Sequence, residues 1–159
     1  MILVTVGTQL PFDRLIRAMD GIAPDLAQPV FAQTGGGTYQ PDHMEWQHFI
    51  EPREFEARFG AASIIVSHAG IGTVLMALRH HKPLILYPRR VALHEHRNDH
   101  QMATVAALAG RSGIYVAEDD EALARTLRER LEAPRADWDD AVRGQLVNAL
   151  TGYISTGKI

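Results

Sequence analysis

Ile64-Ile65-Val66-Ser67-His68-Ala69-Gly70-Ile71-Gly72-Thr73 is the stretch that decides the fold. A short, continuous, β-branched run meets a turn with two glycines and passes straight into a helical pattern over roughly Thr73–His80. Such a run reads as a strand buried on both faces, as in a parallel sheet. Glycines separated by one residue let the backbone approach a ligand, because no Cβ blocks the way. The helix behind them offers unpaired N–H groups and the positive end of its dipole to an anion. Thr73 can cap that helix or bond a phosphate oxygen. Taken alone, the same residues read equally well as a tight turn that needs glycine only for its shape. They complete neither the dinucleotide fingerprint nor the phosphate loop ending in Lys-Ser/Thr, so NAD and ATP lose weight.

Working outward, the alternation repeats. Ile2–Val6 is a strand ending at Gly7, and a helix follows with Pro11 near its start and Phe12, Leu15, Ile16 and Met19 on one face. Val30–Gln33, Trp46–Ile50, Ser63–Val66, Leu84–Tyr87 and Ile114–Val116 are the further strands. Helices are expected from about Pro52, around Asp99–Ala109 and through the remainder, with a break near Pro134. Strands alternating with helices predict an α/β, single Rossmann-like domain: a parallel sheet of about six strands flanked by helices. One domain over 1–159 is expected, with its core over about 1–131 and C-terminal helices over 135–155. Ligands of such sheets bind at the carboxyl ends of strands, which singles out the loops after Val6, Gln33, Val66 and Tyr87.

Composition narrows the function classes. A chain of 159 residues with 46% hydrophobic and 22% charged residues is that of an ordinary globular protein. A net charge of −3 and a pI near 6.2 argue against a nucleic-acid binder. There is no cysteine, hence no disulfide and no thiolate metal site. The apolar Met1–Gly7 start is too short for a signal peptide, and no run approaches a membrane span, so a cytoplasmic location is expected.

Three of the loops offer further chemistry. Gly7-Thr8-Gln9 supplies a hydroxyl, an amide and backbone donors at a helix start, although alone it reads as an ordinary cap. Gly35-Gly36-Gly37-Thr38 reads as a flexible loop. The segment from Pro88 to Gln101 carries Arg89, Arg90 and Arg97, and five of the eight histidines fall between His80 and His100. Arginine there can neutralise an anionic ligand, and histidine can serve as acid or base. His94, Glu95, His96, Asp99 and His100 are possible metal ligands, but without His-Glu-x-x-His spacing, and no metal site is assigned. A solvated loop without a role is the plain alternative.

In order along the chain, Val4-Thr5-Val6-Gly7-Thr8 with Phe12-Asp13-Arg14-Leu15-Ile16, Phe49-Ile50-Glu51-Pro52, Ile64 to Thr73, Lys82-Pro83-Leu84-Ile85 and Asp99-His100-Gln101 form one long pattern. It resembles the C-terminal, donor-binding half of family 28 glycosyltransferases, which include the lipid-linked N-acetylglucosaminyltransferase of peptidoglycan synthesis. It is most similar to small separate-chain members: the Alg13-like subunit of dolichol-linked N-acetylglucosamine transfer and the PssE-like bacterial exopolysaccharide subunits that pair with an Alg14-like partner. The resemblance reaches to about Leu131 and implies the C-terminal half of a GT-B fold.

The resemblance also implies roles. Ile50 presents its backbone to uracil. Gly70, Ile71, Gly72 and Thr73 hold the diphosphate, with Gly7, Thr8 and Gln9 contributing from the first loop. Gln101 bonds the donor sugar, with His68 and His100 close by. Arg89, Arg90 or Arg97 helps to stabilise the departing UDP. The family's acidic residue on the helix after the glycine loop, which holds the ribose, is replaced here by Met76, and a thioether is a poor substitute for a carboxylate. Glu95 and Asp99 are candidates for that task. The implied activity is an inverting two-chain glycosyltransferase of exopolysaccharide or lipid-linked glycan synthesis. Its UDP-sugar is substrate, and no cofactor or metal is required. The partner is an Alg14-like, membrane-associated subunit that binds a lipid-linked saccharide acceptor and keeps this chain at the inner face of the membrane. The base is His68, His96 or a residue of that partner. The alternatives are a regulatory subunit that holds UDP-sugar without transferring it, or a stand-alone nucleotide-sugar hydrolase or epimerase.

Overall fold

The central strands of this protein are short and buried on both sides, and that requires helices on both faces of the sheet. The computed structural model describes residues 1–95 and 100–135; His96, Arg97, Asp99 and the helices expected after Arg135 lie outside the described residues. The elements are β1 (Ile2–Thr5), α1 (Asp13–Ile22), β2 (Val30–Gln33), β3 (Glu45–Gln47), α2 (Pro52–Ala61), β4 (Ile64–Ser67), α3 (Ile71–Arg79), β5 (Leu84–Leu86), α4 (His100–Leu108), β6 (Ile114–Val116) and α5 (Asp120–Leu127). The six strands form one sheet in the order β3-β2-β1-β4-β5-β6, with every pair parallel.

Side chains alternate across the pleat and build two cores. Ile2, Val4, Val30, Ala32, Ile64, Val66 and Ile85 meet Leu15, Ile16 and Met19 of α1 and Leu123 and Leu127 of α5 on one face. Leu3, Phe31, Ile65, Leu84, Leu86 and Ile114 meet Phe59 of α2, Val74 and Ala77 of α3, and Val105 and Leu108 of α4 on the other. The chain winds outward from β1 to β3, returns to place β4 beside β1, and winds outward again to β6. The strand order therefore reverses between β1 and β4. A crevice opens outside their carboxyl ends, the general ligand position of open parallel sheets.

Local differences from the expected elements have physical causes. The third strand, expected over Trp46–Ile50, is Glu45–Gln47, because β3 is an edge strand and the chain turns away at His48. There the Gly35 N–H donates to the His48 carbonyl (2.8 Å) and His48 Nδ1 lies 3.0 Å from the Gly35 carbonyl. The loop after β2, expected to be flexible, is pinned. The Thr38 N–H and hydroxyl and the Tyr39 N–H all donate to Asp13 Oδ2, at 3.2, 2.9 and 3.3 Å. Further along α1, buried Asp20 accepts from the Tyr39 hydroxyl and the Asp42 and His43 amides. Burial pushes the Asp20 carboxyl upward, but these donors outweigh it and hold its pKa below the usual value. Among the described residues, no helix is long and apolar enough to cross a membrane.

Candidate functional site

The crevice between β1 and β4 is walled by two glycine loops packed on one imidazole. Gly70 has an ordinary extended backbone (φ −87°, ψ 130°), so its need for glycine is spatial. A Cβ there would fall 2.3 Å from His68 Nε2. Gly7 takes φ +75°, where side chains are strained, and a Cβ there would fall 2.8 Å from His68 Cε1. The His68 ring is thus held between the first loop and the fourth-strand loop. Gly35, at φ +59°, lies against the same wall, since its Cβ would stand 3.0 Å from the Gly7 carbonyl oxygen.

Gly72 is different. A Cβ at this position meets nothing within 4 Å, and the residue lies in the first turn of α3. Neither packing nor a left-handed backbone demands glycine here, and in a helix it is less favourable than alanine by about 1 kcal/mol. The start of α3 is also open. Its N-cap is Gly70, and no side chain caps it. The Thr73 and Val74 N–H groups donate to the Gly70 carbonyl, at 3.2 and 3.3 Å, and the Ile71 and Gly72 N–H groups have no acceptor among the described residues. By contrast, α5 is closed by its own Asp119, whose carboxylate accepts from the Ala122 N–H at 2.8 Å. Two adjacent donors without an acceptor at a helix N-terminus, beside a position kept clear of side chain, are a group that can attract an anion.

Other expected site residues differ in placement. Thr8 and Gln9 are exposed on the first loop and make no hydrogen bond to the described residues. Ile50 leaves β3 at the same edge of the sheet, and neither its N–H nor its carbonyl has a backbone partner among the described residues. Its neighbour Phe49 is 57% exposed. Met76 packs partly buried against the second core. His96, Arg97 and Asp99 are outside the described residues.

Two charged residues of the β5 loop, Arg89 and Glu95, are engaged inside the protein rather than free to face a donor as expected. Arg89 is 2% exposed, and its terminal nitrogens donate to the Val6, Leu10, Pro11 and Glu95 carbonyls while the guanidinium stacks 4.5 Å from the Phe12 ring. Burial pushes its pKa down to about 10, still far above neutral, so Arg89 is a buried cation that shapes the first loop. Glu95 is clamped by Arg14 at 2.6 and 2.8 Å and accepts from the Arg90 N–H at 2.9 Å. Both of its oxygens are thus engaged, and it does not stand free as a ribose acceptor. Burial works against the Arg14 charge, but Glu95 and Tyr87 together outweigh it, so the Arg14 pKa lies above its usual value. The Arg90 side chain reaches the Glu118 carbonyl beyond β6.

Gln101 is 7% exposed, and its side-chain oxygen accepts from the Ala69 N–H (3.3 Å) and the Arg89 N–H (3.0 Å). It therefore ties the glycine loop to the β5 loop, and Arg89 extends the tie to the first loop. Sequence reasoning missed this framework, and it missed Arg14 and Ser67. An ion pair between residues 14 and 95 leaves no local signal in a sequence.

The comparisons with known proteins agree with this geometry. The model of the glycosyltransferase family 28 C-terminal domain matches residues 1–140. UDP-N-acetylglucosamine transferase subunit ALG13 of Eremothecium gossypii is 40% identical over 74 residues, which are 45% of this chain and 36% of that protein. Among solved structures, the glycotransferase of kitacinnamycin superposes with a TM-score of 0.62 at 18% identity, covering 92% of this chain and 37% of the other. CalG4, the calicheamicin glycosyltransferase, gives 0.59 at 22% identity, covering 98% and 39%. This chain thus spans well under half the length of the proteins it matches.

Proposed function

This chain belongs to the glycosyltransferase family 28 C-terminal domain family, and we propose that it is the UDP-sugar-binding half of an inverting glycosyltransferase. The observation that carries the reading is the open N-terminus of α3, where the free Ile71 and Gly72 N–H groups adjoin a Gly72 with no Cβ. The donor's diphosphate lies there, with Thr73, Thr8 and Gln9 supplying hydroxyl and amide groups. The uracil meets the unpaired backbone of Ile50. The acceptor-binding half is a separate, Alg14-like polypeptide at the membrane, and the product belongs to exopolysaccharide or lipid-linked glycan synthesis. One fact supports a second chain: the similarity to a protein named as a subunit.

In the proposed transfer, an acceptor hydroxyl attacks the anomeric carbon as the bond to the UDP oxygen breaks. The electron pair leaves on the diphosphate, and the configuration inverts. The hydroxyl proton passes to a base on the partner or to His96. His68, held between Gly7 and Gly70, serves the leaving group. Its charge is met by the helix terminus and by neutral donors rather than by Arg89 or Arg90. Neither metal nor organic cofactor enters this scheme.

The test is calorimetric titration of the chain with UDP and a panel of UDP-sugars, followed by transfer assays with the co-expressed partner. Micromolar UDP binding that Gly72→Val abolishes is expected, with sugar transfer appearing only in the complex. Transfer left intact by Gly72→Val would overturn the reading. Met76 favours one second reading, a subunit that holds donor without turning it over. In that case the complex binds UDP-sugar and transfers nothing, and Met76→Glu tightens binding without creating activity.

A further inference from the structure

We propose that Ser67 is a positioning residue that holds the His68 imidazole in one tautomer, with its hydrogen on Nδ1, so that Nε2 is the nitrogen set between the two glycine loops. Only the functional consequence rests on the diphosphate reading; the tautomer assignment stands apart from it. Ser67 closes β4 and is 0% exposed. Its Oγ lies 3.0 Å from the Thr5 carbonyl, 3.2 Å from His68 Nδ1 and 3.4 Å from Thr73 Oγ1. A hydroxyl has one hydrogen to give. The carbonyl is the nearest of the three partners and can only accept, so that hydrogen goes to Thr5. The oxygen then faces Nδ1 and the Thr73 hydroxyl as an acceptor, and both of those groups can donate. The result is one directed relay, from Nδ1–H through the Ser67 hydroxyl to the Thr5 carbonyl, inside the last turn of the sheet.

The orientation has a consequence at the crevice. Nε2 stands 2.3 Å from where a Gly70 Cβ would be and 3.3 Å from that of Gly7. With Nδ1 committed inward, every proton that His68 gains or releases passes through Nε2, on the side of the open helix terminus. Nε2 is then the ring nitrogen nearest the glycine loop on which the proposed diphosphate would lie. His48 is an internal reference. Its Nδ1 lies 3.0 Å from the Gly35 carbonyl, which also only accepts, so it holds the same tautomer for an unrelated reason.

The experiment is long-range 1H–15N correlation spectroscopy of the histidine rings in the full chain, at a pH where they are neutral, for wild type, Ser67→Ala and Ser67→Thr. The wild-type His68 ring is expected in the Nδ1–H pattern. Ser67→Ala moves it towards Nε2–H, Ser67→Thr restores it, and His48 stays unchanged throughout. A wild-type His68 in the Nε2–H pattern overturns the assignment, as does a His68 pattern that ignores the loss of the hydroxyl. In the second arm, UDP binds Ser67→Ala about three- to tenfold more weakly than wild type, the loss of roughly one hydrogen bond, while Ser67→Thr stays near wild type. A switched tautomer with unchanged UDP affinity refutes the positioning role. If the tautomers behave as expected and no variant binds UDP, the proposed function fails while the relay stands.

Discussion

The two loops that flank the crevice use opposite means. The glycine loop, residues 68–73, contains no acid or lysine, yet it leaves two backbone donors unspent at a helix terminus. The β5 loop, residues 88–95, is rich in charge, and its Arg89 and Glu95 are consumed by internal partners. The sequence reading gives the diphosphate to the glycine loop and expects the charges of the β5 loop to help. In the structure Arg89 and Glu95 serve architecture, while the amides of Ile71 and Gly72 are left without an acceptor among the described residues. The reason is energetic: a buried guanidinium must be fully hydrogen-bonded to be tolerated, and once it is, little remains for a ligand. A helix terminus needs no burial and no counterion to attract a phosphate.

The comparison can be broken most forcefully at Arg89. Arg89→Met would strand the Val6, Leu10 and Pro11 carbonyls, and a loss of about 3–5 kcal/mol in urea-unfolding free energy is expected. A loss below 1 kcal/mol would mean that this arginine is not structural. Gly70→Ala comes next. Its new methyl meets the His68 ring, so about 1–3 kcal/mol of stability should go, and UDP binding with it. Gly72→Ala sharpens the contrast within a single loop. Thermal unfolding should be unchanged or raised by up to about 1 kcal/mol in stability, while UDP affinity measured by calorimetry falls about tenfold. Equal losses of stability at Gly70 and Gly72 would remove the distinction between them. The smallest effect belongs to Arg90→Ala. Its side chain reaches the Glu118 carbonyl at the surface, so stability and UDP affinity should each stay within about 0.5 kcal/mol of wild type.

Much of the fold was legible because strands buried on both faces are written as continuous apolar runs. Val30–Gln33 and Ile114–Val116 appear at their expected limits, and the other strands shift only at their ends. The third strand was the poorest match. Trp46–Ile50 looks strand-like throughout, but an edge strand ends where a loop partner captures its backbone, here Gly35 at His48. The helix after the glycine loop begins at Ile71, ahead of the expected Thr73, because an extended Gly70 already serves as its N-cap. At the site, the glycine loop was readable since its chemistry lies in the backbone and in spacing. The fate of Arg89, Glu95 and Gln101 was not, because it depends on partners 78, 81 and 32 residues away, at Pro11, Arg14 and Ala69. Sequence periodicity carries no record of such distances.

The imidazole wedged between Gly7 and Gly70 has an evolutionary meaning as well as a chemical one. A larger residue at either glycine position collides with His68, whereas a smaller residue at 68 would open space for both. The three positions therefore form a single unit of change. A lineage that alters 68 first can then vary 70, with 7 still held to glycine by its φ of +75°, while one that alters Gly70 first is trapped, and the order of substitutions decides which paths are open.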